Sequence, residues 1–424
     1  MSKKKVAIIG VDGFSYNLIN NYIKNDIFSD LSKILRNGFF TNMKVTIPEI
    51  SNVSWTTFFT GNNPAEHNIQ GFVDLKPNSY EIFFPTFVDN KGECIWDDLE
   101  KYNKKTYALN IPGTYPAHKI NGILISGFVA IELEKSVYPQ FLIPTLQDFN
   151  YMLDVDTKDA QNKLISFLDE IRYSIEIRKK TYNYLWEKDD WDLFIGVLTE
   201  TDRLNHFLFD AAFDSSNEYH NKFIEIYQMV EDFISFFYNK CDENTEFIIL
   251  SDHGFTKIKQ EFYINNWLKD KGYLLLNTKN MFELDKISSD SKAFALDPTR
   301  IFIHLKDKYP KGTIDSSQKN KILNEIKNEL LEIEYNGEKI IKQVYFKDEI
   351  FEGTYADRSP DLVYITNPGF DSKGRMIADS IFGKTHLQGM HVRDDAVFFT
   401  TNKNLTLENN YIGEIKSKIL NYLL

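Results

Sequence analysis

Leu250-Ser251-Asp252-His253-Gly254-Phe255 is the stretch on which the fold turns. The residues just before it, Phe247-Ile248-Ile249, are apolar and uncharged, as expected of a strand buried on both faces of a sheet. Gly254 then breaks the strand and leaves a carboxylate and an imidazole side by side at its carboxyl end. That edge of an open α/β sheet is where ligand crevices form. Carboxylate oxygen and neutral imidazole nitrogen both suit zinc or manganese. Taken alone, the dipeptide more often describes a turn Asp bonded to backbone beside a surface His, so the rest of the chain has to separate the two.

Working outward, Lys5-Val6-Ala7-Ile8-Ile9-Gly10-Val11 reads as another buried strand, ending in Asp12-Gly13. Two amphipathic helices follow, around residues 16–23 and 29–36. A dinucleotide fingerprint needs the glycines of G-x-G-x-x-G, and only Gly10 and Gly13 are present. Trp191 to Thr199 is a third buried strand, and it runs into Glu200-Thr201-Asp202-Arg203-Leu204-Asn205-His206. Asp202 and His206, four apart at a helix start, share one helical face and can close on one ion. Arg203 reads as a surface charge in preference to a substrate contact.

Pro48 bars a helix before it, and Val53 to Thr60 has helical spacing with Gly61 as a stop. Ser51 then falls at or just before the helix amino terminus. There Ser51 or Ser54 can simply cap free backbone N–H groups. The same place also suits a nucleophilic hydroxyl beside an anionic phosphoryl oxygen. Near the carboxyl end, Lys384-Thr385-His386-Leu387-Gln388-Gly389-Met390-His391 puts two of the eight histidines in one loop. His67 reads as a structural histidine and His304 as a packed one. The charged residues of a long helix from about 158 to 188 read as a solvated face.

At 424 residues the chain fits one α/β domain with an elaborated cap. The expected architecture is a central, mostly parallel sheet with helices on both faces. Cap insertions are expected near 62–92, 131–190 and 256–385. A net charge of −12 argues against general nucleic-acid binding. Met1-Ser2-Lys3-Lys4-Lys5 leads into the first strand without an apolar leader, and no apolar run reaches membrane-spanning length. Cys94 and Cys241, both in expected core segments, are too few for a disulfide framework, so a cytoplasmic setting is expected.

Asp12, Ser51, Asp202, His206, Asp252, His253 and His391 are all expected where a strand gives way to a loop or helix. In these motifs the chain resembles the alkaline phosphatase superfamily, in its type I phosphodiesterase and nucleotide pyrophosphatase branch. The resemblance also runs through Asn63-Pro64-Ala65-Glu66-His67, Pro360-Asp361-Leu362 and Gly389-Met390-His391. It implies two divalent cations, Zn2+ or alternatively Mn2+. One would be held by Asp202, His206 and His391, the other by Asp12, Asp252, His253 and the nucleophile. Counting back from Thr60-Gly61 places that nucleophile at Ser51.

The implied activity is hydrolysis of phosphodiester or pyrophosphate bonds in a small phosphate ester or nucleotide-type substrate, through a phospho-Ser51 intermediate. A phosphomonoesterase on the same core is the alternative, with a phosphomutase behind it. Nucleotide pyrophosphatases commonly carry a phosphoryl-contacting Asn just after the glycine that closes the His67-to-Gly71 segment. Phe72 stands there instead and cannot donate that bond. Monoesterases add a cation for the terminal phosphate, for which His386, Arg203, Lys384 and Arg393 are the candidates, and His386 is taken as the substrate contact.

Overall fold

The computed structural model describes residues 3–158, 160–277, 284–376 and 378–424; Met1 and Ser2 of the lysine-rich start lie outside them. The chain divides into two compact units. The first comprises Met1–Asn62, Thr86–Thr256 and His386–Leu424, and the second comprises Asn63–Pro85 and Lys257–Thr385.

The first unit is built on eight strands: β1 (Lys5–Val11), β2 (Phe39–Met43), β3 (Thr106–Ile111), β4 (Gly122–Ser126), β5 (Val137–Tyr138), β6 (Leu193–Leu198), β7 (Thr245–Leu250) and β8 (Ala396–Thr400). They lie in the order β2-β8-β7-β1-β6-β3-β4-β5. The run from β7 to β4 is parallel, and antiparallel pairs close both sides. The expected mostly parallel α/β sheet is therefore present. Its main helices are α1 (Tyr16–Lys24), α2 (Asp30–Arg36), α3 (Ser51–Thr60), α4 (Ile95–Glu100), α5 (Leu164–Lys188), α6 (Glu200–Leu208), α7 (His220–Lys240) and α8 (Ile415–Leu423).

Strand alternation sends successive side chains to opposite faces. In β1, Val6 and Ile8 pack with Trp55 and Phe58 of α3, Trp96 of α4 and Ile419 of α8. Ala7, Ile9 and Val11 pack on the other face with α1, α2, α5 and α7. Both faces are covered, which is why these strands read as unbroken apolar runs. Not all of α5's charge faces water: Arg178 is 1% exposed and ion-paired to the equally buried Glu200. Cys94 is buried, Cys241 only partly so, and both are free thiols.

The second unit has a four-stranded antiparallel sheet of Ala293–Leu296, Arg300–Ile303, Leu362–Thr366 and Ile341–Phe346, backed by the helix Ser316–Leu331. His304 and His67 are both buried within it. Phe72 sits edge-on to Phe84. Among the described residues, no helix is long and apolar enough to cross a membrane.

Candidate metal centre

The three central strands deliver the acidic residues. Gly10 of β1 pairs with Val197 of β6 and with Leu250 of β7, so the chains beyond them emerge at one level. Beyond β1 comes Asp12, whose backbone N–H donates to Leu198 and whose carbonyl accepts from the Thr201 hydroxyl. Past β6, the first turns of α6 carry Asp202 and His206. Asp252 and His253 follow β7, where the Gly13 N–H donates to Asp252 Oδ1 at 3.2 Å. Gly13 holds φ +69, and an added Cβ would lie 2.8 Å from the Phe255 ring.

Ser51 opens α3 on the first unit's other helical layer. The N-cap position is Ile50, with no side-chain capping bond. Ser54 is buried with its hydroxyl 2.8 Å from Thr46 Oγ1. Neither serine caps the helix. Instead Ser51 Oγ lies 3.2 Å from His253 Nε2 and 3.4 Å from Asp12 Oδ1.

The imidazoles share one arrangement. Nδ1–H donates to a backbone carbonyl in each: His206 to Gly389 at 3.1 Å, His253 to Gly254 at 3.0 Å, His391 to Glu49 at 2.9 Å. The neutral tautomer so fixed puts the lone pair on Nε2. Those Nε2 atoms converge: His206 and His391 are 3.1 Å apart, and each lies 3.3 Å from Asp202 Oδ1. His253 Nε2 is 3.3 Å from Asp12 Oδ1, 3.3 Å from Asp252 Oδ2 and 3.8 Å from Asp202 Oδ1.

Asp202 Oδ1 and Asp252 Oδ2 are buried without a hydrogen-bond partner. Acceptors facing acceptors in a buried site need a positive charge among them, and oxygen plus imidazole nitrogen is a donor set for borderline divalent cations. Two triads have donor atoms mutually close enough for one ion, Asp202-His206-His391 and Asp12-Asp202-His253. This donor set fits a divalent cation of the kind the resemblance implies; the second triad closes through Asp202, where the resemblance has Asp252.

The electrostatics follow from crowding. Burial, with Asp12 and Asp202 adding repulsion, raises the Asp252 carboxyl well above its usual range. Burial also pushes Asp202 up, but His206 and His391 when protonated, together with Arg203, outweigh it and hold that carboxyl well below. Burial works against charge on His253, yet Asp12 and Asp202 leave its pKa raised.

The structure thus brings together Asp12, Ser51, Asp202, His206, Asp252, His253 and His391. It does not bring in His386, which is exposed with its ring stacked on Phe207. Arg203 is not the surface charge expected: it is 16% exposed and clasped by Asp154 and Asp202. Arg393 is turned to its own neighbourhood, on the Val45 carbonyl and Asp394.

Sequence reasoning missed three supports. Trp55 Nε1 donates to Asp12 Oδ2 at 3.1 Å. Its place four residues after Ser51, one turn along α3, was the available signal. Glu49 offers its carbonyl to His391, while its own Oε2 is buried without a hydrogen-bond partner. Burial raises that carboxyl despite the pull of His391, Arg393 and His253. Nothing in the sequence pairs Asp154 with Arg203.

Comparison with known proteins gives the fold and the family. The chain is similar in structure to the phosphonoacetate hydrolase of Sinorhizobium meliloti 1021 in complex with phosphonoformate, at 13% identity and TM-score 0.65, over 100% of this chain and 96% of that one. It is similar to murine ectonucleotide pyrophosphatase/phosphodiesterase 5 at 15% identity and TM-score 0.58, over 99% and 95%. An inactive form of the murine protein, in complex with AMP, gives 15% identity and TM-score 0.54 over 100% and 95%. No curated protein matches the chain by sequence. The profile of the type I phosphodiesterase / nucleotide pyrophosphatase family matches residues 6–392. The chain belongs to that family, and so is a phosphoric ester hydrolase on an alkaline phosphatase-like fold.

Proposed function

We propose that the chain hydrolyses phosphodiester or pyrophosphate bonds of a small phosphate ester, with Ser51 as nucleophile and two divalent cations, Zn2+ or alternatively Mn2+, as cofactors. One cation falls to Asp202, His206 and His391, the other to Asp12, Asp252, His253 and Ser51. The observation that carries this is the meeting of His206, His253 and His391 through Nε2 while every Nδ1 is spent on a backbone carbonyl. Bound cations supply Lewis acidity, lowering the pKa of a hydroxyl and neutralising phosphoryl oxygens.

The protein's own groups do the rest. Asp12 and His253 hold Ser51 Oγ at the start of α3, where free backbone N–H groups favour a phosphoryl oxygen. Ser51 attacks phosphorus in line and takes the phosphoryl group while the alcohol or phosphate departs; water then returns the serine. The structural relatives act on a phosphonate or take AMP by their own names, and a phosphorus centre in a small molecule is the shared chemistry. Free thiols at Cys94 and Cys241 support a reducing, cytoplasmic setting.

The test is turnover of a chromogenic phosphodiester and its matching monoester by chelator-stripped protein resupplied with Zn2+ or Mn2+. Faster release from the diester supports the proposal. Absence of turnover with either ion, or undiminished turnover by Ser51→Ala, overturns it.

A further inference from the structure

We infer that Arg203, clasped by Asp154, is a positioning residue that turns one oxygen of Asp202 into the cluster; this rests on the proposed cation site. The guanidinium spends three donors. Nε and Nη2 reach the two oxygens of Asp154 at 3.3 and 2.7 Å, and Nη1 reaches Asp202 Oδ2 at 3.3 Å. Its face lies 4.4 Å from the centre of the Phe128 ring. A planar fork fixed at this many points has one orientation, which a lysine cannot reproduce.

With Oδ2 taken, Asp202, a member of both candidate triads, presents Oδ1, the oxygen that lies within 3.8 Å of all three Nε2 atoms. The clasp is itself anchored. Arg178, on α5, donates to the Tyr151 hydroxyl at 2.9 Å and the Leu153 carbonyl at 3.2 Å while pairing with Glu200. Residues 151–154 are therefore fastened to the first turn of α6 by two arginines, one on Glu200 and one on Asp202. Partners of this kind orient metal ligands, and their loss typically weakens metal binding about 10–100-fold.

Three roles for Arg203 give different results. A positioning residue changes cation affinity; a substrate contact changes KM alone; a structural pair changes stability alone. Full-length protein stripped with a chelator is titrated with Zn2+ against a chromogenic competitor, and separately with Co2+ followed by visible absorption. Arg203→Gln and Asp154→Asn are each expected to weaken one cation about 10–100-fold and to alter the Co2+ spectrum. Arg203→Lys should fall between, and the double variant should lose no more than Arg203→Gln.

Unchanged Zn2+ affinity and Co2+ spectrum in both single variants overturn the inference. If Arg203→Gln does not fold, Asp154→Asn, which keeps the side chain's shape, decides alone. Wild-type protein that takes up neither ion overturns the cation site and this inference together. Wild-type protein that binds both, beside variants that bind equally well, overturns only the role of Arg203.

Discussion

His206 Nε2 and His391 Nε2 face each other at 3.1 Å, each ring having already given its Nδ1–H to a backbone carbonyl. Two lone pairs at that distance repel unless a proton or a cation stands between them.

Removing divalent cations should therefore lower thermal stability as well as activity. Stabilisation by a bound ion grows as RT ln(1 + [L]/Kd), or roughly 3 kcal/mol at a hundred times Kd. His391→Ala should abolish the part of the melting shift that belongs to the cation proposed at Asp202, His206 and His391. A melting temperature indifferent to chelator and to added Zn2+ would contradict this.

Ser51→Ala should separate activity from folding. The side chain makes no capping bond, so denaturant stability should change by less than about 1 kcal/mol. Turnover should fall on the order of a thousandfold or more. Intact-mass spectrometry after an acid quench should show the phosphoryl adduct in wild type and none in the variant.

Trp55→Phe tests the support beneath Asp12. The indole N–H is lost from a buried carboxylate oxygen, and the smaller ring leaves space where Gly10 now meets the indole. A cost of roughly 2–4 kcal/mol is expected from chemical denaturation. Cation affinity should drop with it, because Asp12 is then free to turn.

Asp395, packed against Gly254, gives a pH signature of its own. Burial raises its carboxyl to about 6, against hydrogen bonds from Ser15, Asn17 and Phe255. The unfolded value is about 3.9. Between these the folded protein binds the extra proton. This group's contribution is fully present below about 4 and is lost as pH rises through about 6. It amounts to about 3 kcal/mol. Asp395→Asn should remove that slope, so the difference in unfolding free energy between variant and wild type should grow from pH 4 to pH 7.

The sheet was legible because β1, β6 and β7 are covered on both faces and so are written as apolar runs closed by a polar residue. Asp12, Asp202 and Asp252 could be set at strand ends on that ground, without any contact being known. Arg203 could not be placed. A guanidinium on an otherwise polar helix turn belongs by default in water, and its partner Asp154 lies 49 residues earlier in a stretch without periodicity. Arg178 was opaque for a similar reason: among the many charges of α5, nothing local marks the one that meets Glu200. His386 shows the reverse. Its sequence neighbourhood resembles that of His391, yet five residues of chain are enough to carry it to an exposed bend beside Phe207.

The donors of the cluster are not equally anchored. Asp12, Asp202, Asp252 and His253 extend from the three innermost strands, whose amides should exchange with deuterium only when the whole unit unravels. His391 arrives on the short pair formed by Gly254–Lys257 and Gly389–Val392, outside the main sheet. Breathing of that hairpin-sized element would release one imidazole while the carboxylates stay put. In the proposed two-cation site, the ion sharing His391 should therefore exchange faster than its neighbour.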